Sequence, residues 1–103
     1  MKMTIRYFDG CSSWKEADAG LREALVATDT EAQITYELVS TQDEAERSRF
    51  AGSPTLLVDG MDPFPAETKS FGPTCRMYAV DGGSEGSPSV QRLIAVIEAR
   101  AAT

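Results

Sequence analysis

Cys11 stands at the point where an extended apolar stretch gives way to an amphipathic helical pattern, and the chemistry of this chain starts there. The free amides of a helix N-terminus and the positive end of its dipole converge at such a position and favour a thiolate over a thiol. A thiolate is the nucleophilic form of cysteine, and its pKa in this setting falls below the free value of about 8.5. The competing reading is a half-buried cysteine packed as a small hydrophobe, and location by itself leaves both open. Cys75 is the only other cysteine, and there is no histidine anywhere in the 103 residues. Ser-His-Asp and Cys-His catalysis and every histidine-bearing metal site are therefore excluded. Chemistry must come from cysteine, carboxylates, lysine, tyrosine or backbone dipoles.

A second candidate is Gly52-Ser53-Pro54-Thr55, which places a proline directly before an apolar run, where the X-Pro amide adopts the cis form at low cost. Such a turn exposes a strand edge at the cysteine. Asp81-Gly82-Gly83 is a third, an ordinary turn sequence placed to return toward the end of the sheet that carries Cys11. Asp62-Pro63-Phe64-Pro65 reads as a rigid turn with an aromatic anchor, and Phe64 and Phe71 are the rings available to line a groove.

The elements that must position these residues follow from periodicity. Met3, Ile5 and Tyr7 alternate with Thr4, Arg6 and Phe8, which predicts a first strand. Trp14, Ala17, Leu21, Leu25 and Thr28 recur at helical spacing, which predicts a helix over 14–28 with Gly20 inside it. Ile34, Tyr36 and Leu38 give a second strand, parallel to the first through a right-handed crossover. Thr41-Gln42-Asp43-Glu44 has the form of a capping box, so a short helix is expected to run to about Phe50, its charged face solvated. Strands follow at Thr55–Val58 and Arg76–Val80, and Ser87-Pro88 supplies an N-cap and N1 proline to a last helix carrying Val90, Leu93, Ile94 and Ile97. The stretch from Gly60 to Cys75 is far longer than a hairpin loop.

The resulting order is β-α-β-α-β-β-α, an α/β domain over 1–103 with a four-stranded mixed sheet and three helices. Its 42% hydrophobic content suits one core that needs neither metal nor a disulfide framework. Ten Lys and Arg against 16 Asp and Glu give a net charge of -6 without a basic stripe, so nucleic acid is not expected as a partner. The longest apolar run, Leu93 to Ile97, is flanked by Arg92 and Glu98, so no membrane partner is expected either. Lys2 and Arg6 break up the N-terminal apolar residues that a secretory signal needs, which predicts a cytoplasmic protein with free thiols.

This order, with Cys11 opening the first helix and Pro54 before the third strand, resembles the thioredoxin-like superfamily over nearly the whole chain. The resemblance implies Cys11 as catalytic nucleophile, with Ser12 and Ser13 amides and Trp14 beside it and Ser53-Pro54 as the substrate-docking loop. Glutaredoxins are similar in having a Gly-Gly turn at the place of Gly82 and Gly83, where it holds the glutathione carboxylate. The chain also looks like small bacterial thioredoxin-fold proteins with a Cys-x-x-Trp site, a Gly-Ser-Pro-Thr turn and an Asp-Pro-Phe segment, described in connection with alkylmercury lyases. It departs from the dithiol pattern, since Trp14 stands where the resolving cysteine belongs. Three readings remain: a monothiol exchanger using glutathione or another small thiol, a nucleophile resolved by Cys75, and a retained fold without redox activity. The leading expectation is a monothiol thiol-disulfide oxidoreductase without a cofactor or resident metal, acting on a thiol or disulfide substrate. The alternatives are a non-catalytic binding module for a protein or soft metal, and thiolate chemistry on an arsenic or mercury compound. Strand geometry puts Cys75 at the far end of the sheet unless the segment from Met61 to Thr74 folds back over Cys11.

Overall fold

The computed structural model describes residues 1–50, 52–64, 72, 76, 78–80 and 83–101. Strand β1 spans Lys2–Tyr7, helix α1 Ser13–Ala27, strand β2 Gln33–Leu38, helix α2 Gln42–Ser48, strand β3 Thr55–Val58, strands β4 Tyr78–Val80 and β5 Gly83–Glu85, and helix α3 Val90–Ala101. β1 lies at the centre of a three-stranded mixed sheet of order β2-β1-β3. It pairs parallel with β2, Ile5 opposite Tyr36, and antiparallel with β3, Ile5 opposite Leu56.

The alternation in β1 decides what each face does. Met3 and Ile5, with Leu56 and Val58 beside them on β3, pack into one core with Leu21, Ala24 and Leu25 of α1 and Leu93 and Ile97 of α3. The intervening Thr4, Arg6 and Thr55 point to the other face, where the Arg6 guanidinium donates to the Ser48 carbonyl at the end of α2. A smaller cluster of Val39, Ala45 and Phe50, flanked by Phe8, seats α2 there. α2 starts as its capping box requires, with Thr41 Oγ1 accepting from Glu44 N at 3.1 Å. The Glu44 carboxylate reaches back one residue further than the motif predicts, to Ser40 N. Among the described residues, no helix is long and apolar enough to cross a membrane.

Among the described residues the expected four-stranded sheet is not formed; the main sheet has three strands. β4 pairs with β5, Tyr78 opposite Glu85 and Val80 opposite Gly83, as a separate two-stranded sheet. The apolar run at Arg76–Val80 is shorter as a strand than its sequence suggests because its first residue is a buried arginine held by side-chain bonds. Its last three residues spend their backbone groups on β5. The start of α3 also differs: Ser89, not Ser87, caps the helix, its Oγ accepting from Arg92 N at 3.2 Å.

Candidate functional site

Cys11 precedes Ser12, the N-cap of α1, and its own amide donates to the Phe8 carbonyl at 3.0 Å to close the turn that ends β1. The Ser12 side chain caps nothing and Ser13 opens the helix, so no capping hydroxyl stands between the α1 N-terminus and its surroundings. Cys11 is disulfide-bonded, in contrast to the free thiol that the sequence leads one to expect, and only 3% exposed. Its Sγ lies 3.8 Å from the Ser53 carbonyl oxygen. A disulfide sulfur carries no proton, so this is a contact and not a hydrogen bond.

The two loops nominated by the sequence are thus neighbours. The Ser53-Pro54 peptide is cis, and both residues are buried. Every carbonyl of this turn from Gly52 to Pro54 is engaged within the chain. Thr55 Oγ1 donates to Gly52 O at 2.7 Å, Arg76 N donates to Ser53 O at 2.9 Å, and the Tyr78 hydroxyl donates to Pro54 O. The Ser53 carbonyl, expected to pair with an extended substrate, is occupied by the chain's own Arg76. Ser53 Oγ is buried and has no hydrogen-bond partner among the described residues. Gly52 adopts φ +124°, and a Cβ there would stand 2.8 Å from Arg76 Cβ, so only glycine lets the two segments pass this closely.

Arg76 is the residue that sequence reading missed. Its side chain is 4% exposed, and Nη1 meets Asp62 Oδ2 at 2.7 Å while Nη2 donates to Phe64 O at 2.6 Å. The guanidinium also sits 4.6 Å over the Tyr78 ring. Asp62 uses its other oxygen to accept from Phe64 N at 2.9 Å, so the Asp-Pro-Phe motif is an Asx turn clamped by a buried arginine. Phe64 itself is buried, edge-on to Tyr78 at 5.5 Å, in the role of an aromatic anchor. Burial pushes the Tyr78 phenol well above its ordinary range and keeps it a neutral donor to Pro54. The signal available in the sequence was an arginine heading an otherwise apolar run, a pattern that demands buried partners.

The remaining candidates are placed as follows. The Trp14 indole turns toward the β1–β2 side, 4.5 Å from the Tyr7 ring and 6.3 Å from Tyr36. Gly83 opens β5, and Gly86, just beyond it, abuts the Ser13 hydroxyl so closely that a Cβ would lie 2.4 Å from it. That contact brings the end of the β4–β5 unit to the start of α1. Gly82, Phe71 and Cys75 lie outside the described residues. A cavity of about 530 Å³ is lined by Asp62, Pro63, Phe64, Val58, Arg92 and Arg100, among others, so Phe64 lines a groove as nominated, but one that does not include Cys11, Ser53 or Pro54. Among the described residues no group of three or more His, Cys, Asp or Glu could hold a metal ion. Compared with known proteins, the chain matches no family model, no curated protein and no solved structure.

Proposed function

We propose that this protein is a thiol-disulfide oxidoreductase, similar to the thioredoxin-like superfamily, whose Cys11 cycles between a disulfide with Cys75 and a thiol. The observation that carries the reading is that Cys11, at the N-terminus of α1, is in a disulfide although the residue three positions on is Trp14. Cys75 is the only other cysteine in the chain and directly precedes Arg76, whose amide bonds the same Ser53 carbonyl that Cys11 Sγ touches. Of the three readings open to the sequence, this favours the nucleophile resolved by a distant cysteine.

The exchange balances with two equivalents of a low-molecular-weight thiol such as glutathione. The first thiolate attacks the Cys75 sulfur, since Cys11 is buried, and Cys11 departs as a thiolate stabilised by the α1 amides. The second displaces Cys75 from the mixed disulfide and leaves as the oxidised small disulfide. A disulfide substrate then takes up the two electrons by the reverse steps, with Cys11 as the nucleophile that closes the protein disulfide again. Arg76 and Asp62 act as positioning residues that hold the chain against the Ser53-Pro54 turn.

A second reading is favoured by one observation, the occupation of the Ser53 carbonyl by Arg76. In it the disulfide is a permanent clamp in a non-catalytic module that binds a protein or a soft metal. Insulin reduction with glutathione separates the two. Wild type is expected to turn over, Cys75→Ser to be inactive because the buried Cys11 meets neither thiol nor substrate, and Cys11→Ser to accumulate a mixed disulfide on Cys75 that no second protein thiol resolves. A folded wild type that reduces no insulin and forms no mixed disulfide supports the clamp.

A further inference from the structure

The sheet ends on β2: β1 covers one side of this strand, and among the described residues nothing pairs with the other. Gln33 N donates to Met1 O at 3.0 Å and Val39 N to Tyr7 O at 2.8 Å, so the odd-numbered residues turn their backbone groups toward β1. Strand geometry alternates these directions, which leaves the amides and carbonyls of Ile34, Tyr36 and Leu38 facing the open edge. Exposed edges are ordinarily blunted by lysine, proline, a bulge or extreme shortness. β2 has six residues, Gln-Ile-Thr-Tyr-Glu-Leu, and its one charge, Glu37, is already paired with Arg6 Nε at 2.7 Å. The strand is also stiffened from α1, where Arg22 Nη2 donates to the Tyr36 hydroxyl at 2.6 Å and that hydroxyl donates to Asp18 at 2.7 Å.

We propose that β2 pairs antiparallel with β2 of a second copy of this chain about a twofold axis at Thr35, joining two three-stranded sheets into one of six. The register follows from the backbone directions. Ile34 and Tyr36 of opposite copies exchange hydrogen bonds on both sides of the axis, because both carry outward-facing groups, and Thr35 meets Thr35 in the closer non-hydrogen-bonded pair. A slip by one residue sets outward groups against inward ones and puts the helical layers on opposite faces. In the proposed register Ile34 packs beside Tyr36 on the α1 face, and on the other face Gln33 lies opposite Glu37 as an amide facing a carboxylate. The strand is thus complementary to itself, with no like charges opposed, whereas an unrelated extended peptide would find only the backbone ladder. Each chain's charge of -6 lies mostly elsewhere and is screened beyond about 10 Å at 0.1 M salt.

Sedimentation equilibrium on the whole oxidised protein tests this. Wild type is expected to approach twice the 11.1 kDa of one chain as concentration rises. Ile34→Pro removes one outward donor per copy at an edge that tolerates proline, and is expected to be a monomer with an unchanged circular dichroism spectrum. Thr35→Lys and Thr35→Glu each place like charges across the axis and should weaken self-association by about fivefold. Mixing the two should restore a dimer at least as tight as wild type. A wild type that stays monomeric at millimolar concentration, or charge variants that dimerise as tightly alone as mixed, overturns the proposal.

Discussion

The Tyr78 hydroxyl donates to Pro54 O and the Arg76 guanidinium to Thr55 Oγ1, in the same turn whose Ser53 carbonyl Cys11 touches. Tyr78 gives this a pH signature. Its folded pKa is raised by burial above the ordinary value of 10.0, so the folded protein keeps a proton that the unfolded chain gives up. Stability from this phenol is fully present below pH 10 and is lost as pH rises beyond that value. Tyr78→Phe is expected to flatten this alkaline loss in urea melts. It should also cost about 1–3 kcal/mol at neutral pH, because the Pro54 carbonyl is left buried without a donor. An alkaline slope unchanged in the variant would assign the loss to other groups.

At the scale of elements, the two helices that cover the working face meet where the sequence places a glycine inside α1. Gly20 faces α3, and a Cβ there would lie 3.5 Å from Leu93 Cδ1 and 3.7 Å from Val90 Cγ2, ordinary contact distances. Gly20→Ala is therefore expected to stabilise the protein by up to about 1 kcal/mol, read as a higher urea midpoint, since alanine relieves the helix penalty without a clash. A lower midpoint would show that the α1–α3 packing has no room for the methyl group. The elements themselves were legible wherever one period dominated: Met3, Ile5 and Tyr7 marked β1, and the helical spacing of Leu21 and Leu25 marked α1. They were misjudged where side-chain bonds overrode propensity. Arg76 drew the start of an apparent strand into a buried network, β4 closed on β5, and the cap of α3 moved to Ser89. The site was legible in part, since Cys11 and Pro54 could be nominated from their flanking elements. The clamp of Asp62, Phe64 and Arg76 depends on contacts across 12 to 14 residues that no local pattern encodes.

Across the whole molecule, the α1 N-terminus and the turn before β3 meet at one disulfide-bonded cysteine, Arg76 ties the Asp-Pro-Phe segment to that turn, and one edge of the sheet is left to β2. The central claim is that this disulfide is a working redox couple and not a permanent staple. The most direct measurement is its equilibrium reduction potential, read by alkylating and resolving the thiol and disulfide forms of wild type across glutathione buffers of graded ratio. A couple that exchanges with small thiols should fall at roughly -180 to -230 mV, the range of glutaredoxins and protein disulfide isomerase. A potential below about -300 mV, the range of structural disulfides that the glutathione pool does not reduce, would contradict the account.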